Sequence, residues 1–406
     1  MRTFNVFALL SLLTVLGACG HPLVFGANSP ETTNPEGNSD TPGDTDSGET
    51  AATPDQPLAE GERPTGKLNS FAQVVGTLPS PVAHSASLQI GNKVYVFGGV
   101  KADPDGSSNP TTTTQILVST IDATGNLGSF SVSPYVTDAA RRAMRAVRIG
   151  DWAYLIGGYS NSFLTDSVGG GTLHTSIERA PIVNNELAGN FSVVAGKTLV
   201  VNRTNFALLK TNNYVYAIGG TSQGSTIDRA PISGGEISGT FTTLTRTVVT
   251  PGSVVSNGMV VPRYTHDVTV IGDTAYIVGG AATAGHASLN SIEEVEINAD
   301  GTLGDFTLIS PTIGQERNRI IVAGLQDDVY VFAGWDSGFL TSVYSTTLVG
   351  GKITTNFTSA PGVTLAAGVE NGVSLLTRAA MYYMGGYNNS SGARLYNYVQ
   401  RAEISP

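Results

Sequence analysis

The chain has 406 residues, of which 40% are hydrophobic and only 13% charged, with 49 glycines, five methionines and one cysteine. Scarce methionine and charge argue against long surface helices, while abundant glycine suits many short strands and turns. The net charge of −10 is concentrated between Ala27 and Thr65, where nine acids face Arg63 alone. The remainder is near neutral, with no basic field to attract phosphates, so nucleic acid is not an expected partner.

In chain order, Met-Arg-Thr leads into an apolar run from Phe4 to Leu16, then Leu16-Gly17-Ala18-Cys19. A run of this length is too short to span a bilayer stably and fits the core of a signal peptide. Residues 27–65 contain Pro, Thr, Ser, Gly, Asp and Glu and almost nothing apolar, so they cannot bury enough surface to offset their ordering entropy. They are expected to form an extended acidic tether. The Asp44-Thr-Asp46-Ser-Gly48 run lacks the Glu of a calcium loop and reads as linker.

From about residue 66 one pattern occurs six times. An apolar strand ends in paired glycines at Val94–Gly99, Tyr154–Gly158, Val215–Gly220, Ala275–Gly280 and Tyr382–Gly386, and a sixth copy at Val329–Gly334 has Ala333 for the first glycine. Beyond each long loop, an aliphatic residue is followed fourteen positions later by Phe: Ile116 to Phe130, Ile177 to Phe191, Ile227 to Phe241, Ile292 to Phe306, Val343 to Phe357. Two short strands joined by a tight turn account for that spacing. The last copy runs from Val399 to Ile404 without its Phe; at the front, Gly66, Leu68 and Phe71 match Gly125, Leu127 and Phe130. The N-terminal segment should therefore supply the outer strand of the blade built from the C-terminus. The expected fold is all-β: a six-bladed propeller of four-stranded blades, closed by that strand so that no edge is left open.

Two resemblances sharpen this reading. Ile90-Gly-Asn-Lys-Val-Tyr-Val-Phe-Gly-Gly99 and Ile271-Gly-Asp-Thr-Ala-Tyr-Ile-Val-Gly-Gly280 resemble the kelch repeat, which often carries Arg before its first strand. Arg141, Arg203, Arg263 and Arg317 hold that place; the first and last copies have Val82 and Val369, and the kelch tryptophan is missing. Leu-Gly-Ala-Cys resembles the bacterial lipobox, which implies an acylated Cys19 as the mature N-terminus. Gly20, where an Asp would signal inner-membrane retention, implies the outer membrane. The domains expected are a signal peptide at 1–18, a lipidated Cys and tether at 19–65, and the propeller at 66–406.

The long loops, including 100–115, 133–141, 159–175, 245–262, 281–291 and 387–397, should share one face of such a ring, where function tends to lie. Arg141, Arg203, Arg263 and Arg317 are expected around the channel mouth on that face. Tyr159, Trp335 and Tyr387 follow the glycine pair in three copies, and His84, Tyr264 and His266 open inner strands. Arginines with aromatic plates suit sugars, sugar acids or a carboxylate-bearing peptide, although a repeated Arg can equally be structural. The second-strand aromatics Tyr95, Phe97, Tyr154, Tyr216, Tyr276 and Tyr330 read as core.

Catalytic signatures are sparse. The propeller has no Cys for a galactose-oxidase-type crosslinked cofactor, no sialidase box and no paired histidine spacing. Asp103-Pro-Asp105-Gly106 reads as a turn more readily than a calcium loop. No metal and no cofactor are expected. The function expected is a surface- or periplasm-facing binding module for a protein or glycan, monomeric and membrane-anchored through Cys19. The alternative is a carbohydrate-active enzyme of the sugar-acid epimerase or lyase type, using groups such as Glu316 or Asp267.

Overall fold

A computed structural model describes residues 17–18, 21–22, 58, 62–74, 78–102, 110–160, 171–221, 223–390 and 394–406. Cys19, nearly all of the signal segment and most of the tether lie outside these residues, as do Asp44–Gly48 and Asp103–Gly106. The described chain is all-β, and no helix occurs among the described residues.

Six antiparallel sheets follow one another along the chain, each starting from an inner strand that pairs with the next strand through a turn of two or three residues. The inner strands are Ala86–Ile90, Arg145–Ile149, Ala207–Lys210, Asp267–Ile271, Ile321–Gly324 and Val373–Leu376. The second strands are Lys93–Phe97, Trp152–Ile156, Tyr214–Ile218, Thr274–Val278, Asp328–Phe332 and Ala380–Met384. Third strands such as Ser176–Val183 and outer strands such as Ser131–Val136 complete each sheet. The first two strands are buried almost throughout, because both faces of each sheet are covered. That is why they read as continuous Val, Ile and Tyr runs rather than as alternation.

Packing between sheets is cyclic. Six apolar clusters each join one sheet to the next. Leu88 packs with Leu155 in the first cluster, Phe206 with Val147 in the second, and Leu209 with Val268 in the third. Tyr276 meets Val331 in the fourth, Phe332 meets Met381 in the fifth, and Val373 returns to Val94 in the sixth. Second-strand tyrosines add a polar contact to each junction. Tyr95, Tyr154 and Tyr276 hydroxyls accept the backbone N–H of Leu187, Ile237 and Ile353 at 3.2, 3.3 and 3.4 Å. Tyr216 donates to Gly301 O at 2.9 Å. Tyr382 accepts from Leu127 N at 3.2 Å, and Tyr330 accepts from Leu68 N at 3.3 Å. Each hydroxyl thus reaches the hairpin at the far side of the following sheet. Burial pushes Tyr216 and Tyr276 up to about 12, so these two contacts stay neutral at physiological pH.

The two chain ends share the sixth sheet. Ala72 pairs with Arg401 and Gln73 with Gln400, while Lys67 pairs with Ser405 and Leu68 with Ile404. Phe71 packs 5.1 Å from Phe332, in the position the repeat assigns to the outer Phe. The end of the acidic segment is also held. Glu62 accepts two bonds from Arg378 at 2.6 and 2.5 Å, Arg63 Nη1 donates to Leu325 O at 3.0 Å, and Pro64 O accepts from Gln326 N at 3.0 Å. Leu58 is buried in the cluster between the fifth and sixth sheets. Among the described residues, packing therefore begins before residue 66.

A second difference concerns 245–262. Instead of an open loop, two added strands extend the outer edge of the fourth sheet: Val254–Ser256 pairs with Asp305–Arg317, and Thr247–Thr250 pairs with Val254–Ser256. The β-branched Thr-Val-Val-Thr and Val-Val stretches explain the pairing.

Candidate functional site

The four arginines expected at the channel mouth lie inside the sheets. Arg141, Arg203, Arg263 and Arg317 are among the most completely buried side chains of the molecule. Arg203 Nη1 donates to Gly219 O at 2.7 Å and Thr226 O at 3.0 Å, Nη2 to Thr226 Oγ1 at 2.9 Å, and Nε to Asp228 at 3.0 Å. Arg263 repeats this with Gly279 O at 2.8 Å, Ser291 and Glu293, and Arg141 with Gly157 O at 3.0 Å, Ser176 and Glu178. Each fork thus ties the first glycine of the pair to the third strand of its own sheet. The arginine backbone reaches the neighbouring sheet: Gly99, Gly158, Gly220 and Gly280 donate to the carbonyls of Arg141, Arg203, Arg263 and Arg317. These residues join sheets, and their guanidiniums present no binding surface.

The acidic partners were legible in the sequence but not singled out. A hydroxyl residue and an acid flank the aliphatic that begins the fourteen-residue spacing: Ser176-Ile-Glu178, Thr226-Ile-Asp228 and Ser291-Ile-Glu293. In the fifth sheet, Ser342-Val-Tyr344 replaces the acid with a ring lying 4.9 Å below the Arg317 guanidinium, and Gln315 accepts from Nη2 at 2.8 Å. Burial pulls Arg317 down to about 10. The two copies without Arg have Leu117 and Gln400 at the acid position, so ion and counter-ion are missing together. The acids have further donors: Asp138 and Ala139 N–H on Glu178, Val260 and Val261 N–H on Glu293, and the Thr243 hydroxyl on Asp228.

Tyr159 is also buried, beneath the Arg142 guanidinium, whose centre lies 4.4 Å from the ring. His266 is fully buried, and burial, then the charges of Arg263 and Arg145, hold its pKa well below the usual histidine value. Its neighbour Asp267 accepts from Val268 N at 2.9 Å and Val322 N at 2.8 Å, which joins the fourth and fifth sheets. Glu316 is exposed, next to the buried Arg317.

On the same loop-bearing side, His174 Nε2 lies 2.7 Å from Ser160 Oγ. Burial and the charge of Arg141 lower the His174 pKa to about 4. The neutral ring is favoured in the folded state, whereas the unfolded chain takes up a proton near pH 6.5. Its stabilising contribution is therefore complete above pH 6.5 and is lost as pH falls from there through 4. The melting temperature should decline on acidification across that window, and His174→Gln should flatten this part of the profile. An unchanged slope in that variant would assign the acid sensitivity elsewhere.

The one position that all six copies bring to a common point is two residues after the arginine. His84, Ala143, Asn205, Thr265, Arg319 and Asn371 occupy it, and all six are left-handed, with φ between 52° and 56°. Five of the six donate their N–H to the carbonyl of the one before: His84 to Asn371 at 2.7 Å, Ala143 to His84 at 2.9 Å, Asn205 to Ala143 at 3.3 Å, Thr265 to Asn205 at 2.8 Å and Arg319 to Thr265 at 2.9 Å. These residues surround a small cavity of about 30 Å³, lined by their side chains together with Arg145. Of the sequence-derived candidates only His84 lies here. The others were not visible because the six residues share a backbone conformation, not a chemical type.

Beside this mouth, over the fifth and sixth sheets, Trp335, Phe339 and Tyr387 are half-buried. Phe339 and Tyr387 meet edge to face at 6.0 Å. Backbone bridges join Trp335 to Asn318 and Tyr387 to Glu370, the residues adjoining Arg319 and Asn371. Arg319 Nη1 lies 3.4 Å from Glu370 and donates to Asn318 Oδ1 at 2.7 Å. Burial, the neighbouring Asn389 and the charges of Glu370 and Arg319 act on Tyr387, with a net raised pKa. Trp335 and Tyr387 thus come together with the cavity mouth, whereas Tyr159 and the four arginines do not.

No known protein-family model matches the chain, and no curated protein matches it either.

Proposed function

We propose that this chain is a cell-envelope lipoprotein, lipid-anchored through Cys19, whose six sheets form a kelch-like six-bladed β-propeller acting as a binding module for a protein or glycan. Support for the propeller comes from the cyclic order of six apolar clusters, six tyrosine contacts and six left-handed ring residues. The reading of a binding module rests above all on Trp335, Phe339 and Tyr387, half-buried rings gathered beside the axial cavity. Aromatic faces of this kind supply contact area at low entropic cost and stack well on sugar rings or apolar side chains. The buried acids Glu178, Asp228 and Glu293 are each already held by an arginine and by backbone or hydroxyl donors, an arrangement that serves structure rather than proton transfer. The outer membrane follows from Gly20 after the lipidation site.

A glycan and peptide array probed with the mature chain tests this. Trp335→Ala and Tyr387→Ala are expected to weaken binding at least tenfold with an unchanged melting temperature. Hits that survive both changes would move the site off this face. Separately, Cys19→Ala should abolish fatty-acid labelling and release the protein from membranes; continued labelling would overturn the anchor.

A further inference from the structure

A larger cavity lies where the fifth sheet meets the N-terminal strand Lys67–Leu68. Its volume of about 460 Å³ falls within the range of about 300–1,000 Å³ that small-ligand sites occupy. Lys67, Leu68, Asp328, Tyr330, Ser345 and Thr358 are among the residues that line it. Asp328 opens the second strand of the sheet, and Trp335 lies beyond that strand's other end, so the cavity is separate from the aromatic cluster. Sheet register explains why the cavity is here. Directly opposite each second-strand tyrosine stands one residue of the third strand. It is Val118, Arg179, Arg229, Glu294 and Arg401 in the other five sheets, and Ser345 in the fifth. Paired residues share a face, so a long side chain at this position covers the tyrosine. Arg401 Nε donates to the Tyr382 hydroxyl at 3.3 Å. Arg179 Nη1 donates to the Tyr154 hydroxyl at 3.4 Å and to Glu236 at 2.5 Å, with its guanidinium 3.8 Å from the Trp152 ring. Arg229 lies 4.3 Å from the Tyr214 ring. Ser345 is too short to do any of this, and space is left over Tyr330.

The same sheet differs in charge. Its second strand begins with Asp328, where the others begin with Lys93, Trp152, Tyr214, Thr274 and Ala380. Asp328 is only 4% exposed. One carboxylate oxygen accepts from Thr347 Oγ1 at 2.6 Å. The other has Lys67 Nζ at 3.5 Å, on a side chain that is 73% exposed. A buried carboxylate is best held by a close, charge-assisted donor, and a solvated ammonium at that distance is a loose one. The Tyr330 hydroxyl accepts from Leu68 N at 3.3 Å, the bond that Tyr154 and Tyr382 also accept from their hairpins. Those two hydroxyls accept a guanidinium N–H as well, and a phenol oxygen has a second lone pair for it.

We infer that this cavity takes an arginine side chain from a protein partner, with the guanidinium pairing to Asp328 and donating to the Tyr330 hydroxyl. The incoming group fills the place that Arg179 and Arg401 fill in their own sheets, and its apolar stem lies against Leu68. A planar fork bonds carboxylate and hydroxyl together, which a point-charge ammonium does less well. Lys67 turns outward into solvent as the guanidinium enters. The site lies apart from Trp335, Phe339 and Tyr387, and neither reading depends on the other.

Calorimetry on the mature chain with three end-blocked tripeptides, Gly-Arg-Gly, Gly-Lys-Gly and Gly-citrulline-Gly, tests it. The arginine peptide is expected to bind at least tenfold more tightly than its citrulline counterpart and severalfold more tightly than the lysine one. Asp328→Asn keeps the size of the side chain and should weaken the arginine peptide at least tenfold. Ser345→Arg supplies from within the group that the other sheets carry, so it should abolish peptide binding and leave the melting temperature unchanged or raised. Trp335→Ala should leave arginine binding unchanged. No binding of the arginine peptide, equal binding of the citrulline peptide, or full affinity in Asp328→Asn would each overturn the assignment. Any of these results alongside array hits that depend on Trp335 would remove the arginine site and leave the loop-side binding module standing.

Discussion

A mature chain shortened to begin at Gly76 is expected to melt at least ~10 °C below the intact protein, or not to fold at all. The truncation removes Phe71 and Leu68, which fill the cluster between the fifth and sixth sheets, together with Leu58 and the Glu62–Arg378 pair. Loss of a buried Phe costs about 3–5 kcal/mol and of a buried Leu about 2–5 kcal/mol. Those sums rival the whole stability of an ordinary domain, about 5–15 kcal/mol. The third strand Val399–Ser405 would also lose its outer partner and present an open edge. Differential scanning calorimetry provides the readout, and an unchanged transition would refute closure by the N-terminal segment. A rescue sharpens the test. Because Lys67 pairs with Ser405, a permuted chain that carries residues 58–74 after Pro406 should recover most of the lost stability.

The second large effect is expected in the arginine–acid pairs. Glu293→Ala should destabilise by about 3–5 kcal/mol, since it leaves Arg263 charged and fully buried without its counter-ion. It also orphans the N–H groups of Val260 and Val261, which the carboxylate accepts at 2.7 and 2.9 Å. Arg263→Lys should rescue nothing, because an ammonium cannot bond Gly279 O, Ser291 and Glu293 together as the fork does. The double variant Arg263→Met, Glu293→Leu should lose less than the two single alanine changes summed, because no buried charge then remains. Gln315→Ala in the fifth sheet should cost far less than Glu293→Ala, since Arg317 there keeps Ser342 and the Tyr344 ring. Chemical denaturation measures all four. A loss below about 1 kcal/mol for Glu293→Ala would show that these pairs do not hold the third strands.

The sequence by itself determined a great deal of the architecture. Short strands ending in glycine pairs, the fourteen-residue step to Phe, and the match of Phe71 to Phe130 all follow from local rules: apolar runs buried on both faces, tight-turn chemistry and edge avoidance. The core role of Tyr95, Tyr154, Tyr216, Tyr276 and Tyr330 was visible for the same reason, since they interrupt apolar runs on strands covered on both faces. Trp335 and Tyr387 were found because they stand just past a strand end, where a side chain leaves the core.

Tertiary structure alone decided the rest. A repeated arginine looks the same in a sequence whether it faces a ligand or a carbonyl; only the positions of Glu178, Asp228 and Glu293, 25 to 37 residues away, and of Ser342 and Tyr344 beside Arg317, settle that these four are internal. The turn from 245–262 to added strands depended on an open sheet edge at Asp305–Arg317 that local pattern does not reveal. The axial ring was hidden most fully. His84, Ala143, Asn205, Thr265, Arg319 and Asn371 share no single side-chain chemistry, and they become one feature only when six sheets place their left-handed backbones around one cavity.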